Sequence, residues 1–325
     1  MKRCIFITSL LLAILSIIIT GCTFEGDVEA LGKVPLKVDF TGYSSLPRKL
    51  EWLDENAKSG NIYIIDVTEN SNVSKVLKYD GEENITIRII GNGRLIGPSS
   101  NNSVFEVGSG VTLVLDGISL GFFMPSVIDY PMIKVSQGGI LVMNKNSRIF
   151  GNAKFEEYGF GGVLVDGGTF IMNGGEIYEN SAPDGGGVFV NDGIFIMNGG
   201  IIRDNEAQRG GAVSVKNGGT FTINGDSIIR KNMAKDWGGG VFVQNANFFK
   251  KGGIIFGADT DTDESDKNFV SGGDYSGHAV AVIIGSGGLP PQFFSREDTI
   301  GKNETLSLSL KGTAWTPEGN WNSPP

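Results

Sequence analysis

Gly186-Gly187-Val188-Phe189-Val190, then Gly193-Ile194-Phe195-Ile196-Met197-Asn198-Gly199-Gly200, then Asp204-Asn205: the chain writes this passage three times in succession with small changes. Upstream it reads Gly161-Gly162-Val163-Leu164-Val165, Gly168-Thr169-Phe170-Ile171-Met172-Asn173-Gly174-Gly175 and Glu179-Asn180. Downstream it reads Gly211-Ala212-Val213-Ser214-Val215, Gly219-Thr220-Phe221-Thr222-Ile223-Asn224-Gly225 and Lys231-Asn232. The valine pair advances by 25, 25 and 28 residues, from 163 to 188, 213 and 241. Copies of this length, made of short apolar runs and glycine turns, predict a stacked β-solenoid. The small excess of the last step is expected in a loop.

Alternate side chains of a strand face opposite ways. Val163/Val165, Val188/Val190, Val213/Val215, Val241/Val243 and Val280/Val282 recur, while the residue between them changes from Leu164 to Phe189, Ser214, Phe242 and Ala281. The constant pair is therefore expected inside and the variable one outside. The same logic places Phe170, Phe195 and Phe221 inside with Met172, Met197 and Ile223, and leaves Ile171, Ile196 and Thr222 outside. Asn173, Asn198, Asn224 and Asn180, Asn205, Asn232 fall at turns. Stacked one rung apart they can form amide ladders, and asparagine tolerates the left-handed backbone of a corner.

Working outward, weaker copies precede the clear ones: Ile62 to Val67, Ile85 to Ile90, Val104 to Val107, Val111 to Leu115, Met132 to Val135 and Ile140 to Met143. The expected architecture is all-β, a single-stranded right-handed parallel β-helix over residues 61–288 with a short N-terminal capping helix. At about 25 residues and about 4.8 Å per rung, that span makes roughly nine rungs and a rod on the order of 43 Å. The helix is expected within 45–60: Ser45 is placed to cap it, Pro47 sits in its first turn, and Leu46, Leu50, Leu53 and Ala57 share one face. Its task is to cover the first rung, whose strand edges and apolar cross-section would otherwise be open. Residues 289–325, with one strand-like run from Leu306 to Leu310, read as a C-terminal cap and tail.

Residues 1–21 read as an export signal, with Lys2 and Arg3 ahead of an apolar run from Ile5 to Ile19, and residues 22–44 as a tether. Ile19-Thr20-Gly21-Cys22 resembles the lipobox of bacterial lipoproteins. That resemblance implies cleavage before Cys22, diacylglycerol on its thiol, and attachment to a membrane through acyl chains. Thr23 in the next position implies, by resemblance to Gram-negative sorting rules, transfer to the outer membrane. Cys4 and Cys22 are the two cysteines, so the mature chain has no disulfide framework. Loss of Lys2 and Arg3 takes the formal charge from −9 to −11, a poor match to nucleic acid. The 49 glycines alternate with apolar residues in a chain that is 40% hydrophobic, which argues for order.

The repeats resemble the GGA[ILV] and FxxN motifs of the chlamydial polymorphic membrane proteins, through Gly210-Gly211-Ala212-Val213, the variants Gly186-Gly187-Val188 and Gly239-Gly240-Val241, and Phe170–Asn173, Phe195–Asn198 and Phe221–Asn224. They are closer to the repeat lipoproteins of spirochaetes, which read GGGVxV, GTFxMNGG and NxA; the match covers about residues 160–257. Both resemblances imply a right-handed parallel β-helix at the cell surface, linked with adhesion. Trp321-Asn322-Ser323-Pro324-Pro325 departs from the chlamydial pattern, which ends in an autotransporter barrel.

Candidates for chemistry are few. Asp259, Asp261, Asp263 and Asp266 lie in an acidic run that reads either as a solvated loop or as a weak calcium site. An EF-hand loop beginning at Asp259 would need Gly and Glu where the chain has Glu264 and Val270. Glu179 and Asp204 are expected one rung apart beside Arg203, the arrangement a β-helix polysaccharide lyase or hydrolase would use, but Lys231 takes the next place in that column. His278 is the one histidine and reads as a turn residue. The column Leu164, Phe189, Ser214, Phe242 is the candidate binding surface, unless loops or the tail cover it. Three functions remain open: a non-enzymatic envelope lipoprotein that binds host or cell-surface protein or glycan, as an adhesin or surface antigen; a carbohydrate-active enzyme; and a spacer without ligand. No cofactor is implied.

Overall fold

A computed structural model describes residues 45–78, 84–97, 102–121, 130–152, 159–258, 263, 266–272, 277–286, 289–296, 298–311, 314–319 and 321. The signal, the tether, Cys22, Asp259 and Asp261 lie outside the described residues. The described residues form a right-handed parallel β-helix, with one helix among them at the N-terminal end of the rod. Each full rung has four sides. A valine wall carries strands such as Val163–Asp166, Val188–Asn191 and Val213–Lys216. A phenylalanine wall follows, with Thr169–Met172 and the first half of Ile194–Arg203. An isoleucine wall comes next, with Arg148–Phe150 and Glu176–Tyr178. A short wall closes the rung, with Ser181–Asp184, Glu206–Arg209 and Met233–Trp237.

Register follows the repeat. Val163 pairs Val188, Val188 pairs Val213 and Val213 pairs Val241, all parallel. Phe170, Phe195, Phe221 and Phe248 likewise fall in one column. Among the described residues, eight parallel strands stack in the valine wall, one fewer than the span suggested, because most rungs are longer than 25 residues: Lys75 pairs Phe105, Phe105 pairs Ile133, Ile133 pairs Val163 and Val241 pairs Val280. The last step of 28 residues is not one loop. Single residues are added between Lys216 and Thr220, between Ile223 and Asp226, and between Ala234 and Trp237.

The interior is as the alternation requires. Val163, Val165, Val188, Val190, Val213 and Val215 are buried, as are Phe170, Phe195 and Phe221 with Met172, Met197 and Ile223. The phenylalanine rings stack along the axis, with centroids 4.7 Å apart for Phe170–Phe195 and 4.8 Å for Phe195–Phe221. Such contacts add about 0.5–1.5 kcal/mol to area burial. Ile149, Ile177, Ile202, Ile229 and Ile255 complete the core from the isoleucine wall.

Two asparagine ladders run up the corners. In the inner one, Asn152, Asn180, Asn205, Asn232 and Asn268 are all buried, and the Nδ2 of Asn180 donates to Oδ1 of Asn205, that of Asn205 to Asn232, and that of Asn232 to Asn268. The left-handed corner belongs to the residue before Asn180, Asn205 and Asn232: Glu179 (φ 54), Asp204 (φ 53) and Lys231 (φ 58). This corrects the expectation that asparagine takes the left-handed turn; its amide is needed inside instead.

At the N-terminal end the helix α1 (Leu46–Asn56) lays Leu46, Leu50 and Leu53 on the core, with Pro47 in the first turn. Ser45 is its N-cap residue, but its side chain makes no capping hydrogen bond. At the other end the antiparallel strands Leu289–Arg296, Leu306–Lys311 and Ala314–Glu318 close the walls. Lys250 falls in the inward column of Met172, Met197 and Ile223, fully buried. Its Nζ donates to the carbonyls of Gly301 and Glu304, both at 2.7 Å, and so ties the C-terminal segment over the last rung.

Candidate functional site

The column Leu164, Phe189, Ser214, Phe242 points outward but meets solvent at Phe189 alone. Leu164 is 6% exposed, Ser214 and Phe242 are 0% exposed, and Phe189 is half-buried. The reason lies in the glycine run before each valine strand. Gly185, Gly210 and Gly238 have positive φ, and a Cβ there would stand 2.2–2.3 Å from the carbonyl oxygen of Val188, Val213 or Val241. The short wall therefore doubles back tightly outside the valine wall. Its Ala182, Ala207 and Ala234 are buried yet belong to no part of the central core.

Lys216 completes this cover. Its Nζ lies 5.9 Å from the Phe189 ring centroid and 5.6 Å from that of Phe242, and 2.7 Å from Asp184 Oδ1. Burial pushes the Lys216 pKa down, against the Asp184 carboxylate that holds it up. Arg209 also pairs with Asp184, at 2.9 Å. Ser214, between two phenylalanines in the column, is the small residue beneath this lysine. The column is thus largely a covered second layer, and of the expected binding surface only Phe189 keeps partial exposure.

The paired carboxylates fare similarly. Glu179 and Asp204 do stack, with Glu179 N donating to Asp204 O at 3.1 Å. Arg203, however, donates to Asp204 Oδ2 at 2.5 Å and to Glu176 Oε2 at 2.8 Å and 3.1 Å. Burial acts to lower the Arg203 pKa, but the hydrogen bonds to Asp204 and Glu176 outweigh it and hold it above the ordinary value. Lys231 stands next in the column, as its spacing implied, 3.8 Å from Asp266.

In the acidic run, Asp266 is engaged by Arg230 Nη1 at 2.7 Å as well as by Lys231, and its backbone N donates to Asp263 O. Two cations on one carboxylate oppose the weak-calcium alternative at Asp266. Among the described residues no group of three or more His, Cys, Asp and Glu could hold a metal. His278 is half-buried in the turn before Val280–Ser286, its carbonyl accepting from Gly240 N. No described helix is long and apolar enough to cross a membrane.

Two outward columns that alternation alone did not single out remain accessible. On the isoleucine wall, Phe150 and Tyr178 stack at 4.9 Å with an interplanar angle of 1°; Arg94 lies 4.6 Å from the Phe150 centroid and Arg203 4.3 Å from that of Tyr178. Arg94 reaches Phe150 because the intervening rung carries Gly121, where a Cβ would stand 2.9 Å from the ring and 3.0 Å from the guanidinium. Burial raises the Tyr178 pKa, Glu179 adding to it. The signal for this column is present in the sequence, where Tyr178, Arg203 and Arg230 recur at the same offset from Asn180, Asn205 and Asn232.

The second is the outer asparagine ladder at the corner between the phenylalanine and isoleucine walls. Asn173 Nδ2 donates to Asn144 Oδ1 at 3.2 Å, and Asn198 to Asn173 and Asn224 to Asn198 at 3.1 Å each. No family model, no curated protein and no solved structure matches this chain.

Proposed function

We propose that this chain is a lipid-anchored protein of the bacterial cell envelope whose solenoid presents a rigid, patterned wall for binding, as an adhesin or surface antigen toward host or cell-surface polymers. The observation that carries this reading is the alignment of outward side chains in columns, one per rung, seen in Phe150, Tyr178, Arg203 and Arg230 and again in the outer asparagines. A layered rod sets such columns at a fixed pitch of about 4.8 Å, which suits a repeating or extended ligand. The ion pairs of Arg203 support binding over catalysis, because they occupy the groups a β-helix lyase would use. The lipobox resemblance at Cys22 supports the anchor.

Two measurements test it. Protease treatment of intact cells should cleave the protein from outside; full protection would remove any role in contact with a host. A binding array of matrix proteins and glycans should then show retention by at least one class, and retention by none would refute the binding reading. Depolymerisation of acidic polysaccharide, abolished in Glu179→Gln with Asp204→Asn, would replace it with the enzymatic one.

A further inference from the structure

The two asparagine ladders differ in what their amides have left to offer. In the inner ladder each Nδ2 is saturated: that of Asn205 donates to Ile177 O at 3.0 Å, Arg203 O at 2.8 Å and Asn232 Oδ1 at 2.9 Å. Its Oδ1 accepts from both the backbone N and the Nδ2 of Asn180. In the outer ladder the two middle members, Asn173 and Asn198, each donate one bond through Nδ2 and accept one at Oδ1. An amide carries two N–H donors and an oxygen with two lone pairs. Asn173 and Asn198 therefore each keep one donor and one acceptor toward solvent, and the ladder bonds hold all these groups in the same orientation. Asn198 is exposed, and Asn144, Asn173 and Asn224 are partly so.

The setting is open on one side. Gly174, Gly199 and Gly225 directly follow the three later asparagines, so those positions add no side chain of their own, although Lys145 packs against Gly174 and Asp226 lies in register with Gly199. The column is bounded lengthwise, because Lys251 follows Asn224 in register and Asp116 precedes Asn144. It is thus a strip of four uncharged amides at a pitch of about 4.8 Å, bordered by Lys145 and by the Asp226–Lys302 pair. That pitch is close to the length of one sugar in an extended, equatorially linked polysaccharide. An extended peptide, at about 3.3 Å per residue, falls out of step with it. An anionic polymer would gain nothing from uncharged amides and would approach a chain of formal charge −9.

We propose that Asn144, Asn173, Asn198 and Asn224 form a binding strip for a neutral polysaccharide lying along the rod axis, one sugar per rung, each sugar exchanging hydrogen bonds with one amide. This rests on the binding function proposed above and names its ligand class. The amides supply position and register; the glycine border supplies room.

The test uses the full chain in detergent, with cellohexaose and chitohexaose and their shorter oligomers as probes, measured by calorimetry, alongside an array of matrix proteins. Affinity for one of the two series should rise with length up to four sugars and then level off. Asn198→Ala should weaken it about tenfold, as loss of one or two hydrogen bonds would, while leaving the circular dichroism spectrum unchanged. Asn173→Ala with Asn224→Ala should abolish it. Binding of a matrix protein alone, or glycan binding untouched by these variants, would overturn the strip and leave the binding function standing. Binding of nothing at all would overturn both.

Discussion

At the scale of single residues, one side chain does two different jobs depending on where the corner places it. Asn205 bridges three acceptors and two donors in a buried corner. Replacing it by alanine strands those groups, so Asn205→Ala is expected to cost about 2–4 kcal/mol. Asn198→Ala, on the exposed ladder, should cost less than about 1 kcal/mol. Urea unfolding of the two variants side by side measures the difference; equal costs would mean that the buried ladder is not holding the corner. Phe195→Ala, in the middle of the ring stack, should cost about 3–5 kcal/mol by the same measurement. The inward residues were readable in advance because period two is set by backbone geometry, and Val188 or Phe195 has no alternative in a stacked rung. The burial of Phe242 was not readable. Alternation says which way a side chain points and is silent about what lies over it, and here Lys216, Asp184 and the doubled-back short wall do the covering.

At the scale of elements, the rung has two sides that the Val-x-Val and Phe-x-x-Asn patterns did not announce. The isoleucine wall contributes one inward residue per rung, Ile177, Ile202 or Ile229, and a single position carries no alternation to detect. The short wall contributes alanines, whose burial depends on the tight glycine turn and not on their own apolar area. The closing element gives a pH-dependent prediction. Burial lowers the Lys250 pKa to about 8 from its ordinary 10.5, with the Glu304 charge acting the other way. Between those values the unfolded chain holds a proton that the folded chain lacks, so stability rises as pH increases from about 8 to 10.5, by up to about 3 kcal/mol. Below about pH 8 both forms are protonated and the dependence vanishes. Lys250→Met should flatten this rise, read as the change in urea midpoint between pH 7.5 and 10.5 in the two proteins. An unchanged slope would place Lys250 in water and separate it from the carbonyls of Gly301 and Glu304.

At the scale of the whole molecule, a solenoid is a stack whose ends must be closed. The helix α1 covers the first rung, and the strands Leu289–Arg296 and Ala314–Glu318 finish the sheets at the other end. Those two strands carry Pro290, Pro291 and Pro317, which cannot donate to an incoming strand. A chain cut after Gly288 should therefore expose open edges and self-associate, seen as a rise in mass by light scattering that the full chain does not show. The central claim is that successive copies of the repeat lie in successive layers, and engineered cysteine pairs test it most directly. With Cys4 and Cys22 replaced by serine, cysteines at positions 173 and 198 would have Cα atoms about 4.8 Å apart, within reach of a disulfide, whereas positions 173 and 224 would be twice as far apart. The layered rod predicts oxidation to an intramolecular disulfide in the first pair and not in the second. A bridge between 173 and 224, or none between 173 and 198, would contradict it.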